Sequence, residues 1–266
     1  MGKIIAFANQ KGGVGKTTSC VNLAAALANI RYNILLIDLD PQGNATMGSG
    51  VDKHHLSLSA NEVLQGQASM VEAIIAKTPG TYALLPSNGD LTAAEVVLLR
   101  TPHQEKKLKE ALSSLETAYD FILIDCPPSL SMLTLNALVA AQGVIIPMQC
   151  EYYALEGLSA LMSTIEQIHI DLNPGLQIEG VLRTMYDPRN RLSTEISAQL
   201  VAHLGRKIYQ TVIPRNIRLA EAPSHGLPIL FYDRGSKGSE AYQRLATEFL
   251  MRLGLRVEQA LELETV

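Results

Sequence analysis

The sequence predicts an α/β fold, a doubly wound, mostly parallel sheet with helices on both faces. Three observations lead to it. Short apolar runs alternate with helical patterns along the chain, no Pro/Gly/Ser-rich linker or internal repeat interrupts them, and a glycine-rich loop follows the first run and opens the first helical pattern. KIIAFAN (3–9) is apolar and partly β-branched and reads as a buried parallel strand. NILLID (33–38), DFILID (120–125), GVIIPM (143–148), LQIEGVL (176–182) and KIYQTVIP (207–214) repeat the signal. Helical spacing appears at 17–29, 103–116, 131–141, 153–169, 192–204 and 239–253, and residues 43–80 read as short helices and loops. We expect one domain over 1–256 and an acidic tail over 257–266.

Of the 266 residues, 47% are hydrophobic, enough to bury a core without metal or disulfide staples. No run approaches the ~18 consecutive apolar residues of a spanning helix, so a membrane-integral protein is not expected. The glycine loop begins at residue 11, which predicts no cleaved signal segment. Cys20, Cys126 and Cys150 share no metal-ligand spacing and are expected to be reduced, in a cytoplasmic protein. The net charge of −4 is unevenly spread. Residues 1–182 carry 10 Lys and Arg against 17 Asp and Glu, whereas 183–256 carry 12 against 6. That asymmetry marks either a polyanion-binding face or an ordinary solvated surface.

Gly12, Gly13, Val14, Gly15, Lys16, Thr17 and Thr18 lie between a strand and a helix, the placement a phosphate-binding P-loop requires. Glycines let backbone N–H groups turn toward phosphate oxygens, and the helix N-terminus adds its positive dipole end. Lys16 is expected on the β- and γ-phosphates, Thr17 on Mg²⁺ and Thr18 on the α-phosphate. Asp38 and Asp40 share one strand face beyond a carboxyl end, suited to magnesium and water positioning, although Asp-Pro turns look alike. FILIDCPP ends a strand in Asp125, where one carboxylate can hold a water of the Mg²⁺ shell or simply cap the strand.

KGGVGKTT (11–18), LLIDLDPQGN, FILIDCPP and QTVIPRNIRLAEAPSHGLPI together resemble the ParA/Soj partitioning ATPases of the ParA/MinD superfamily, across most of the chain. The resemblance implies an ATP hydrolase with weak intrinsic activity, using ATP and Mg²⁺ and forming a homodimer with ATP. It makes Lys11 the lysine that reaches the partner's nucleotide, where otherwise it reads as a loop charge. Gly12 would lie where two loops press together. Asp40 would orient the attacking water, and Asp38 would hold the magnesium shell or the loop. Pro214 and Asn216 become adenine contacts, against a plain reading as a turn followed by a helix start. Arg218 becomes a contact to non-specific DNA, to which the basic half adds Arg234 and Lys237. The implied partner is a ParB/Spo0J-type centromere-binding protein, at the nucleoid. A MinD-like membrane regulator should end in a basic amphipathic helix, whereas RVEQALELETV is acidic, so no membrane is expected. No cysteine pair suits an iron–sulfur reductase, and no GxSxG elbow supports a hydrolase triad at Ser224/His225.

Overall fold

The computed structural model describes residues 2–100, 102–115, 118–152 and 154–255. The predicted tail, 257–266, lies outside the described residues. Seven strands form one sheet: β1 (Lys3–Phe7), β2 (Ile34–Asp38), β3 (Ala83–Leu85), β4 (Phe121–Asp125), β5 (Gly143–Gln149), β6 (Gln177–Tyr186) and β7 (Ile208–Pro214). Their order is β3-β2-β4-β1-β5-β6-β7, and every neighbouring pair is parallel. The first strand is central and the chain winds outward in both directions, so the doubly wound expectation holds.

Strand alternation splits the core into two layers. Ile4, Ala6, Leu35, Ile37, Ile122 and Ile124 face one way, into the larger cluster. There they meet α3 (Ala60–Leu64), α5 (Leu91–Leu98), α6 (Lys107–Leu112), α7 (Met132–Ala140), α8 (Ala154–Asp171) and α9 (Arg191–Leu204). Ile5, Phe7, Leu36, Phe121 and Leu123 face the other way, onto α1 (Lys16–Asn29) and α12 (Lys237–Arg252). The central strands are apolar on both faces because helices cover both.

Two elements in the first half of the chain escaped the sequence reading. β3 is three residues long, too short to show periodicity, and α5 has no side-chain cap at its start. The pattern at 103–116 resolves into α6 flanked by 3₁₀ turns at 104–106 and 113–115, with 116 outside the described residues. The stretch 43–80 holds α2 (Asn44–Gly48), α3 and α4 (Met70–Ala73), the short helices expected there. Between β7 and α12 lie α10 (Ile217–Glu221) and α11 (Ile229–Tyr232). No helix among the described residues is long and apolar enough to cross a membrane.

Strand register sets the site. Asp38 pairs with Asp125, and Asp125 with Phe7, so β1, β2 and β4 end level with one another. The loops after those strands therefore meet at one edge of the sheet, where ligands bind in open α/β folds.

Candidate nucleotide site

The loop from Asn9 to Gly15 turns from β1 into α1. Gly13 and Gly15 take φ of 72° and 84°, a region where a side chain is strained. Gly15 caps α1 without a side-chain hydrogen bond, so the first-turn N–H groups keep no internal acceptor and can take an anion. The loop is fixed from behind. Gln149 Nε2 donates to the Gly13 carbonyl (3.0 Å) and the Thr184 hydroxyl to that of Val14 (2.7 Å). Across a trans peptide the N–H points opposite to its carbonyl, so these two bonds turn the following N–H groups to the loop's other side. Val14 itself is buried.

A cavity of about 600 Å³ opens over this loop. Gly12, Gly13, Gly15, Lys16, Thr17 and Thr18 form its floor, and Asp40, Gln42 and Asn44 one wall. Met185, Ala222, Pro223 and Leu227 supply an apolar wall that the sequence did not single out. Met185 stands at φ 49° beside an irregularity in the β6–β7 register, so only the folded strand reveals it. Pro214 and Asn216 lie outside the residues that line the cavity. Pro214 pairs with Tyr186, the residue after Met185, and Asn216 Oδ1 accepts the Leu219 N–H (3.1 Å) to cap α10. A turn followed by a helix start forms here.

Lys16 is buried, with Nζ 3.4 Å from the Lys11 carbonyl. Burial lowers its pKa, while the Asp125, Cys126 and Asp40 charges oppose that shift. Asp125 is fully buried and both carboxylate oxygens lack a hydrogen-bond partner of good geometry. Burial first, then the charge of Asp38, raises its pKa well above the ordinary value; the nearby Thr17 hydroxyl counteracts. A buried, unpartnered carboxylate next to a phosphate loop fits a hydrated cation. Among the described residues no three His, Cys, Asp or Glu side chains are placed to hold a metal by themselves. A cation here therefore takes most of its ligands from phosphate and water, which is magnesium's habit rather than zinc's.

Asp38 is also fully buried, but satisfied. Its Oδ1 accepts the Asp40 N–H (3.1 Å), and its Oδ2 accepts the Thr46 N–H (2.8 Å) and hydroxyl (2.7 Å). Burial pushes its pKa up to about 6 against those hydrogen bonds. Of the two expected roles, holding the loop is the one these contacts serve. Asp40 lines the cavity, and its Oδ1 accepts the Gln42 N–H (2.9 Å).

Lys11 does not line its own cavity. It is exposed, and Nζ is ion-paired with Glu151, itself exposed. A pair so solvated is worth about 0–1 kcal/mol and exchanges readily. Gly12 is exposed too; a Cβ there would meet only Pro128 Cβ, at 3.9 Å. Arg218 pairs with Glu221 (2.9 Å) and Asp233 (3.4 Å), which sets it near Arg234 and Lys237, both exposed. The three cations thus share a region, but carboxylates are interleaved with them. The folded surface around them is mixed in charge.

The comparisons agree with this geometry. An AAA domain family, AAA_31, matches residues 2–178. The chromosome-partitioning ATPase Soj of Thermus thermophilus is 50% identical over 249 residues, covering 94% of this chain and 96% of that protein. The chromosome partitioning protein ParA of Caulobacter vibrioides is 46% identical over 252 residues, 94% of each. Among solved structures, cobyrinic acid a,c-diamide synthase of Mycobacterium smegmatis, with a bound ATP analogue and magnesium, superposes with a TM-score of 0.84. It is 37% identical over 96% of both chains. Likeness this long, over a chain that places a phosphate loop, a buried lysine and two acidic strand ends at one edge of the sheet, makes this protein a member of the ParA/Soj family of chromosome-partitioning ATPases.

Proposed function

We propose that this protein is an ATP- and magnesium-dependent switch for DNA segregation, with slow intrinsic hydrolysis in the cytoplasm. The observation that carries the proposal is the unpartnered, buried Asp125 carboxylate beside the uncapped N-terminus of α1. Lys16 and the loop N–H groups bind the triphosphate; Thr17 and Asp125 hold Mg²⁺, directly or through its waters. The metal would neutralise charge developing on the phosphates. Asp40 orients and activates the attacking water. The base extends past Met185 toward the turn that carries Pro214 and Asn216.

Lys11, directed away from its own cavity, exchanges Glu151 for the nucleotide of a second subunit, so that ATP joins a homodimer. Dimerisation doubles the number of weak phosphate contacts available from Arg218, Arg234 and Lys237, coupling ATP to non-specific DNA through avidity. A ParB/Spo0J-type centromere-binding protein triggers hydrolysis and release. The test is DNA binding with ATP, with ADP and without nucleotide across a salt series. ATP-dependent, salt-sensitive binding supports the switch. Binding that ignores ATP, or none at all, refutes the DNA step and points instead to a MinD-like surface or scaffold.

A further inference from the structure

A residue outside the nucleotide motifs holds Asp40 in place. Ser87 follows β3 and is fully buried. Its hydroxyl donates to the Asp40 carbonyl (2.9 Å), which also accepts the Gly43 N–H (2.8 Å). Its own N–H donates to the Thr46 hydroxyl (2.8 Å), the same hydroxyl that donates to Asp38. Its carbonyl stands so close to the following turn that a Cβ on Gly43 would come within 2.7 Å of it. Ser87 thus touches the acidic loop at three points: at Asp40, at Thr46 and over Gly43.

We propose that Ser87 is a positioning residue for hydrolysis, fixing the backbone of Asp40 so that its carboxylate meets the water in line with the phosphate. This rests on the reading of Asp40 as the water-orienting group. Because β3 lies at the edge of the sheet, beside β2, the acidic loop is clamped from a strand that contributes nothing to the cavity lining. Small errors in the placement of a catalytic group reduce the rate far more than they reduce binding.

Ser87→Ala removes one oxygen and keeps the backbone N–H that supports Thr46, so the fold and the Asp38 contacts survive. The expected result is a kcat for ATP lower by about tenfold, with KM for ATP and the Kd for ADP within about twofold of the parent. Under single-turnover conditions in an Asp40→Ala background, the same substitution should change the residual rate less than twofold, because its route of action has gone. Unchanged kcat in Ser87→Ala, a rise in KM without loss of kcat, or an equal tenfold loss in the Asp40→Ala background overturns the proposal. If Asp40→Ala itself leaves turnover unchanged, the reading of Asp40 fails first and takes this one with it.

Discussion

Thr46→Val removes a single hydroxyl and replaces it with a methyl group of similar size, so no cavity opens. Two buried hydrogen bonds go with it: the donation to Asp38 Oδ2 at 2.7 Å and the acceptance of the Ser87 N–H at 2.8 Å. A bond to a charged acceptor is worth about 1.5–3 kcal/mol, and a buried N–H left without an acceptor costs about 1–3 kcal/mol. The loss should therefore be about 3–5 kcal/mol, or roughly 10 °C in Tm for a domain of this size. The effect also has a pH signature. Asp38 has a folded pKa of about 6 against an ordinary 3.8, so its ionised form destabilises the fold, by an amount that grows from about pH 4 to pH 6. Above the folded pKa both states are ionised and the difference levels off. The Thr46 hydroxyl is one of the groups that hold this pKa down. Without it the pKa rises further and the destabilisation continues to grow past pH 6. The deficit of the variant should thus be wider at pH 8 than at pH 5. Calorimetric unfolding of the nucleotide-free protein with a chelator measures both values. An equal deficit at the two pH values, or a total under about 1 kcal/mol, would refute the account of Asp38.

Asp125→Asn keeps the side-chain volume while removing the carboxylate that would hold a hydrated cation. The same variant should lose the extra stability that Mg²⁺ adds to bound nucleotide, a comparison that thermal shift assays make directly. Gly15→Ala adds a side chain at φ 84°, which costs about 1–2 kcal/mol and disturbs the loop, so nucleotide affinity should fall at least tenfold by calorimetric titration. A Cβ on Gly12 meets only Pro128 Cβ, at an ordinary contact distance of 3.9 Å, so Gly12→Val should leave stability within about 1 kcal/mol while ATP-dependent dimers disappear from sedimentation profiles. Lys11→Ala breaks only an exposed ion pair: Tm should stay within a few degrees, and the dimer should again be lost.

The central strands were legible because burial on both faces writes them as unbroken apolar runs, and the phosphate loop because its glycines serve a backbone conformation that few other residues adopt. The two acidic strand ends were legible for the same reason, since each closes an apolar run. What the sequence left open were roles decided by partners far along the chain. Asp38 and Asp125 look alike as aspartates that end strands, yet Thr46 satisfies the first while the second has no hydrogen-bond partner of good geometry. Asn216 offered both a purine contact and a helix cap, and its Oδ1 makes the cap.

The sequence by itself determined the α/β class, the nucleotide loop and the order of its motifs, because periodicity and backbone permissiveness are local properties. Only the tertiary structure decided which acidic side chain stays unpartnered, that Lys11 turns away from its own cavity, and that Ser87 holds the acidic loop. These depend on strand register and on contacts between residues up to 140 positions apart, as Lys11 and Glu151 are, and no local pattern encodes such pairings.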